Sequence, residues 1–353
     1  MKPLITALVD TCNHERYIEQ ALVSVLEQGL SPAELEIVVV DDGSTDGTAG
    51  IIQKFAPRVK HVRKKNGGQA SAFNAGFAEA RGEIIAILDG DDWWAEGKLA
   101  AVTDALEKNP EVAAVGHGYY KFDETTRESV VCAPPTRRIV KVSTAESART
   151  ANDAWPYLLM GALTVRRRVL EWIMPVPEEM IFMADTAIQM AALVMGVLVL
   201  EEPLFYYRYH SENLYATTSN RESMLRRSKM TELVYSRVQR MLIELGVSAE
   251  TASVLLEGGW LDAKRGRMHL SGGSRLEAFQ TEMRSFALDR KKPSFGYRLF
   301  KYLVVGTATL LLPARRFYEF RNWYARKELG RYRDRIVRAD VAGARVRRDP
   351  AEK

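Results

Sequence analysis

The stretch Ile84–Trp94, reading IIAILDGDDWW, decides how the chain is read. Its first five residues are apolar without alternation, and they stop abruptly at three carboxylates, Asp89, Asp91 and Asp92, around Gly90. An apolar run this short and continuous marks a strand buried on both faces, as in a parallel sheet covered by helices. In such sheets ligands collect beyond the carboxyl ends of the strands. Two aspartates one residue apart at a strand end offer oxygen ligands to Mg²⁺ or Mn²⁺ and leave positions for phosphate oxygens. An isolated Asp-x-Asp is more often a solvated turn or a helix cap. Here the buried run before it and Trp93-Trp94 after it weigh against solvation.

Working outward, the same grammar repeats. Leu4–Val9 is an apolar run ending at Asp10-Thr11-Cys12-Asn13, and Tyr17 to Leu26 follows at helical spacing. Glu36–Val40 (EIVVV) is β-branched and ends at Asp41-Asp42-Gly43-Ser44, a turn-forming loop. Thr48–Phe55 reads as a helix, Val59–Val62 as a short strand and Ala70–Ala80 as a small-residue helix. Strands alternating with short helices predict an α/β fold with a mostly parallel central sheet. Asp42 and the Asp89–Asp92 cluster then sit at strand ends facing one crevice. Ser44, Thr45 and Asp46 also read as N-cap residues for the helix after them. The glycines of Asn66-Gly67-Gly68-Gln69-Ala70-Ser71 allow a sharp turn or a close ligand approach.

Beyond residue 111 the pattern loosens. Val112–Phe122 reads as a strand, 123–150 as irregular and polar, and Gly161–Ile173 as a strand and short helix. Asp185–Met195 reads as a helix and Val197–Tyr209 as a strand ending in aromatics. From 216 the pattern is helical. These shifts predict a domain over 1–215, with halves 1–110 and 111–215, and a helical extension over 216–353.

Bulk properties bound the function. The 353 residues are 46% hydrophobic and 27% charged, with a net charge of +5, which gives no argument for nucleic acid. Cys12 and Cys132 form neither a disulfide framework nor a metal-finger spacing, so reduced thiols in a cytoplasmic protein are expected. Asp10 breaks the N-terminal apolar run, which argues against a signal peptide. No run of ~18 apolar residues predicts a transmembrane helix; the nearest, Leu303–Pro313, is too short. Phe295–Tyr324 mixes Phe, Tyr and Trp with LVVGTATLLLP, flanked by Lys291, Lys292, Arg315, Arg316 and Arg321. That composition suits a helix lying on an anionic membrane surface, or equally one packed on the catalytic domain or a dimer partner. Arg331–Lys353 is expected to fray.

Taken in order, LVDTCN, VVVDDGSTDGT, NGGQASAFNAG and EIIAILDGDDWW resemble the nucleotide-sugar-binding half of family 2 glycosyltransferases, which have the GT-A fold. The resemblance covers roughly 3–215. It implies inverting transfer from a nucleotide-diphosphate sugar, often UDP-linked, to a glycan or lipid-linked acceptor, with Mn²⁺ or Mg²⁺. By position it places Asp10, Thr11, Asn13, Asp42, Asn66, Gly68, Gln69, Ser71, Asn74, Asp89 and Gly90 around the donor. Asp91 with Asp89 corresponds to the metal-binding pair. Asp92 and Arg208 contact the diphosphate or support the cluster. The first loop departs from the PTYN of many members. The family's Glu-Asp pair before a helix is represented by Ala184-Asp185, which makes Asp185 the expected general base; by pattern alone it is also a helix cap. Tyr207-Arg208-Tyr209-His210 resembles the YRxH stretch closing the catalytic domain, with His210 a candidate metal ligand. No QxxRW motif is present, which favours single addition. The resemblance also fits a protein on the inner face of the membrane. The Ala184 departure leaves open a catalytically inactive nucleotide-sugar-binding scaffold. Trp155, Pro156 and Tyr157 are candidates for a sugar-stacking surface.

Overall fold

The computed structural model describes residues 5–210, 221–288 and 295–324. Its strands are β1 (Ile5–Thr11), β2 (Leu35–Asp41), β3 (Lys60–Arg63), β4 (Ile84–Asp89), β5 (Trp93–Trp94), β6 (Ala114–Asp123), β7 (Ser129–Cys132), β8 (Arg138–Val140), β9 (Thr164–Arg166) and β10 (Val197–Tyr209). Its helices are α1 (Ile18–Leu26), α2 (Thr48–Gln53), α3 (Gln69–Glu79), α4 (Lys98–Lys108), α5 (Ala145–Ala151), α6 (Arg167–Ile173), α7 (Asp185–Met195), α8 (Arg221–Glu244), α9 (Ala249–Ser271), α10 (Arg275–Leu288), α11 (Phe295–Leu311) and α12 (Ala314–Tyr324).

One sheet runs in the order β3-β2-β1-β4-β9-β6-β10-β5, with β7 beside β6 and β8 beside β10. The pairs β1–β2, β1–β4, β2–β3 and β6–β10 are parallel, as the alternating pattern predicts. β9 is antiparallel to both β4 and β6 and joins the two halves of the sheet. The continuous apolar runs read in β1, β2 and β4 are buried throughout their centres, among them Ala7, Val9, Ile37, Val39, Ala86 and Leu88. With both faces covered, burying these side chains supplies the main driving force for this half of the fold, on the order of 2 kcal/mol for each large one.

The structure corrects the reading of 123–150 as irregular. The segment holds β7, β8 and α5. Its strands are short and carry half-exposed side chains, so they lack the apolar runs that betray buried strands. α5 opens with a capping box, in which the Thr144 hydroxyl accepts the Ser147 N–H at 3.2 Å.

Two compact units are present. The first gathers the sheet, its helices and 237–252; the second gathers 221–236 and 253–324 among the described residues. The second has its own core, in which Met268, Ala278, Ala314, Phe317 and Tyr318 are buried, and an Arg265–Glu282 ion pair at 2.8 Å. No helix among the described residues is long and apolar enough to cross a membrane. Arg331–Lys353, expected to fray, lies outside the described residues, as do Lys291 and Lys292.

Candidate active site

Register alone brings three strand ends together. Asp10 lies opposite Asp89 on one side, and Thr11 lies opposite Asp41 on the other. Adjacent strands are ~4.8 Å apart, so these side chains must crowd. The chain just beyond each strand is laced to its neighbour. The Asp42 N–H donates to the Thr11 carbonyl and the Gly90 N–H to the Asp10 carbonyl, each at 2.9 Å.

The Asp10–Asp89 pair is the most crowded point. Asp10 Oδ1 is buried with no hydrogen-bond partner. Burial, then the negative charges of Asp91 and Asp185, push the Asp10 carboxyl up to about 7. Burial and the neighbouring Asp10 raise Asp89 well above the carboxylate range. Gly90 leaves room for the first loop: a Cβ there would meet Thr11 Oγ1 at 2.6 Å and His14 Nδ1 at 3.0 Å.

Asp91 behaves differently from its neighbours. Burial pushes its carboxyl up, but the His210 hydrogen bond and the histidines at 14 and 210 outweigh that and hold it low. His210 Nε2 is 3.1 Å from Asp91 Oδ2, and the buried His210 ring lies 4.8 Å from that of Tyr17. Asp92 is buried and accepts the Arg208 backbone N–H at 2.7 Å; burial and the charge of Asp91 raise its carboxyl.

Arg208 is a buried strut for this turn. Its Nε donates to the Asp91 carbonyl at 2.7 Å, its Nη1 to Glu124 at 2.6 Å and its Nη2 to Gln20. The guanidinium lies 4.5 Å from the Trp93 ring and 4.7 Å from that of Tyr17. Trp93 in turn stacks on Tyr206, and Tyr206 on Tyr120, at 4.7 and 4.5 Å.

Asp42 is held by its surroundings. Its carboxylate accepts from Lys64 Nζ at 2.7 Å, the Gly67 N–H at 3.0 Å and the Gly68 N–H at 2.8 Å. Asn66 donates to the Asp42 carbonyl at 2.9 Å and to Cys12 Sγ at 3.3 Å. Ser71 Oγ sits beneath Gly67, where a Cβ would approach it to 2.7 Å. Asn13, at φ +58°, accepts the Thr45 N–H on its side chain, and its own N–H donates to Ser44 Oγ. Ser44 and Thr45 therefore bind the first loop instead of capping α2. The cap position belongs to Gly47, which makes no side-chain bond, and only Asp46 reaches the helix, accepting the Thr48 N–H at 3.0 Å.

The NGGQAS segment does a second job that its composition conceals. Gln69 Oε1 accepts the Ala184 N–H at 2.8 Å, and the Gln69 N–H donates to the Ile181 carbonyl at 2.9 Å. Asn74 makes two 2.8 Å bonds with the Val176 backbone, one from each side of its amide. Gly68, at φ +83°, allows the contact: a Cβ would fall 2.6 Å from the Ile181 carbonyl oxygen. Together these clamp the loop that leads through Met183, at φ +61°, to Asp185. Ala184 occupies the cap position of α7, and Asp185 is the first residue inside it. Burial raises the Asp185 carboxyl to about 6, and Gln189 Nε2 donates to it at 3.2 Å. Ala184 itself is fully buried.

Lys64 and Glu124 were not legible as site residues. A lysine ahead of Asn-Gly-Gly hints at an anion, but nothing in sequence selects Asp42 as that anion. Tyr157 donates its hydroxyl to the Ala133 carbonyl at 3.1 Å.

A mostly parallel sheet with carboxylates at adjoining strand ends is the arrangement that the resemblance to GT-A glycosyltransferases implies. The comparisons agree. The Glycosyl transferase family 2 model matches residues 6–171. The chain is 31% identical over 253 residues to the uncharacterized glycosyltransferase alr2836 of Nostoc sp., covering 69% of this chain and 77% of that protein. It is 31% identical over 229 residues to the uncharacterized glycosyltransferase EpsJ of Bacillus subtilis, covering 61% of this chain and 63% of that one. Its fold is similar to that of S. aureus TarS solved with UDP, with a TM-score of 0.51 at 19% identity over 87% of this chain and 90% of that one. The chain belongs to family 2 of the glycosyltransferases.

Proposed function

We propose that this enzyme transfers a glycosyl group, with inversion and one unit at a time, from a nucleotide-diphosphate sugar, UDP-linked, to a hydroxyl of a glycan or lipid-linked acceptor. One observation carries the proposal: a raised carboxylate, Asp185, directly follows Ala184, whose N–H is held by Gln69, and lies near enough to Asp10 and Asp89 to perturb both. A base for an acceptor hydroxyl must hold its proton loosely near neutrality, and a carboxyl raised to about 6 does so. In the transfer, the acceptor oxygen bonds to the anomeric carbon as the bond to the diphosphate oxygen breaks, and the acceptor proton passes to Asp185. Asp10, Thr11, Asn13, Asp42, Asn66, Ser71, Asp89 and Gly90 would line the donor side. Gln69, Gly68 and Asn74 would serve it indirectly, by holding the Asp185 loop.

The residues fit a divalent cation. Asp10 Oδ1 is buried without a partner, and three further aspartates raise or crowd one another beside it. Asp91, with Asp89 or His210 as the second ligand, would hold Mn²⁺ or Mg²⁺. Among the described residues no three acidic, His or Cys groups form a metal cage; such ions commonly take one or two carboxylates and complete their shell with substrate phosphates. When bound, the ion supplies neutralisation of the charge on the departing diphosphate. The test is Asp185→Asn, assayed for nucleotide diphosphate release over a panel of donors. A loss of at least about 100-fold in acceptor-dependent turnover with donor affinity kept is expected. Turnover equal to wild type would refute Asp185 as the base, and no release from any donor by the wild type would favour a binding scaffold.

A further inference from the structure

The second unit presents a helix face that its own core does not use. On α11, Gly306 and Thr309 are buried and Val305, Ala308 and Leu312 pack against the small core, with Phe279 and Met283 of α10 beside Gly306. At 3.6 residues per turn, Leu303, Val304, Thr307, Leu310 and Leu311 fall within one arc of about 120° on the opposite side. Those large side chains are exposed: 57% for Leu303, 50% for Val304, 48% for Leu310 and 68% for Leu311. The arc carries no charge. A contiguous outward apolar face on a helix of a water-exposed unit marks an interaction surface.

Charge decides the partner. Residues 291–353 hold 17 Lys and Arg against 6 Asp and Glu, a net +11, so residues 1–290 carry −6. Arg315 and Arg316, exposed at the start of α12, follow the apolar face directly. Within the described residues 295–324 the balance is five Lys and Arg against one Glu, so a second copy docked α11 to α11 would set net positive charge against charge of the same sign. An apolar arc bordered by Arg315, which pairs with Glu319 at 3.0 Å, and by the exposed Arg316 is instead complementary to a bilayer with anionic headgroups, whose acyl boundary takes the leucines and whose phosphates take the arginines.

We infer that α11 and the start of α12 form a peripheral docking surface for anionic phospholipid bilayers, lying in the interface and not crossing it. The full chain is tested by flotation with phosphatidylcholine vesicles, with and without about 30% phosphatidylglycerol. Binding is expected only with the anionic vesicles and is released by high salt. Leu303→Gln/Leu311→Gln, on exposed positions, is expected to weaken it at least about tenfold, and Arg315→Gln/Arg316→Gln comparably, with unchanged circular dichroism and melting. Absence of flotation by the wild type, equal binding to both vesicle types, or full binding by Leu303→Gln/Leu311→Gln would overturn the inference. So would a lipid-free dimer, measured by light scattering, that this double variant dissociates, since the face would then belong to a second copy.

Discussion

The side-chain carbonyl of Gln69 accepts the backbone N–H of Ala184 at 2.8 Å, joining positions 115 apart in the chain. Gln69 begins the helix behind the donor loop, and Ala184 immediately precedes Asp185. The bond therefore ties the Asn66–Gln69 turn, which also holds Asp42, to the turn that carries Asp185. Gln69→Ala should lower kcat about tenfold or more while leaving the KM for donor within a few fold, since a misplaced base costs turnover more than binding. Steady-state kinetics check this; a change confined to donor KM would mean that Gln69 serves the nucleotide.

Asp185 should impose an acid limb on the rate. With its carboxyl raised from 3.8 to about 6, the base proposed here would be protonated and idle below that pH and active above it. The logarithm of kcat/KM is expected to rise with unit slope up to about pH 6 and then level. Stability runs the opposite way. A carboxyl with a raised folded-state value favours the fold below its unfolded value, and that contribution is lost as pH rises through about 6. Asp185→Asn removes the penalty and should stabilise the enzyme at pH 7 by up to about 3 kcal/mol while abolishing transfer. Urea denaturation at pH 4 and pH 7 tests the sign: the gain should vanish at the lower pH.

Arg208→Ala should cost both stability and donor binding. The guanidinium is buried, and its loss leaves Glu124, Gln20 and the Asp91 carbonyl without it. Glu124 is partly exposed, which tempers the cost of a broken buried pair to about 2–3 kcal/mol. The Asp91–Asp92 turn would lose its strut, so affinity for nucleotide diphosphate by calorimetry should fall along with the melting temperature. Arg208→Lys keeps the charge but not the fork of donors and should rescue little.

Lys98 is a buried amine with no hydrogen-bond partner, its Nζ 3.8 Å from the centroid of the Trp94 ring. Burial pulls its amine well below the ordinary lysine value. The unfolded chain therefore binds a proton at neutral pH that the native state resists, and this contribution becomes more unfavourable as pH falls. Lys98→Met should be neutral or stabilising by about 1–3 kcal/mol, with a larger gain at pH 6 than at pH 9. A variant that unfolds would show that the amine serves the core.

Gly68→Ala should act on the same loop as Gln69 by another route. Its positive φ and the 2.6 Å approach to Ile181 leave no room for a methyl group. Strain of about 1–3 kcal/mol, plus displacement of the loop, should lower both the melting temperature and kcat.

The apolar runs ending at Asp10, Asp41 and Asp89 were legible because strands buried on both faces write their burial continuously into sequence. The register that sets Asp10 against Asp89 then followed from three such strands side by side. β7 and β8 were illegible because half-exposed strands mix polar and apolar residues without a clear period. The roles of Gln69 and Asn74 were hidden for a different reason. Their partners are backbone groups at 176–184, and a backbone N–H leaves no mark in sequence. Arg208 was visible as a charge, but its burial among Trp93, Tyr17 and Glu124 is a property of the folded chain alone.

β9 sets the kind of motion open to this enzyme. Because it bonds to β4 on one edge and β6 on the other, the two parts of the sheet share one unbroken ladder. Motion between the two parts of the sheet is thereby restrained, and the freedom left to the site lies in its strand-end loops. A cut near residue 110 would tear the ladder and would not yield two independently folding halves.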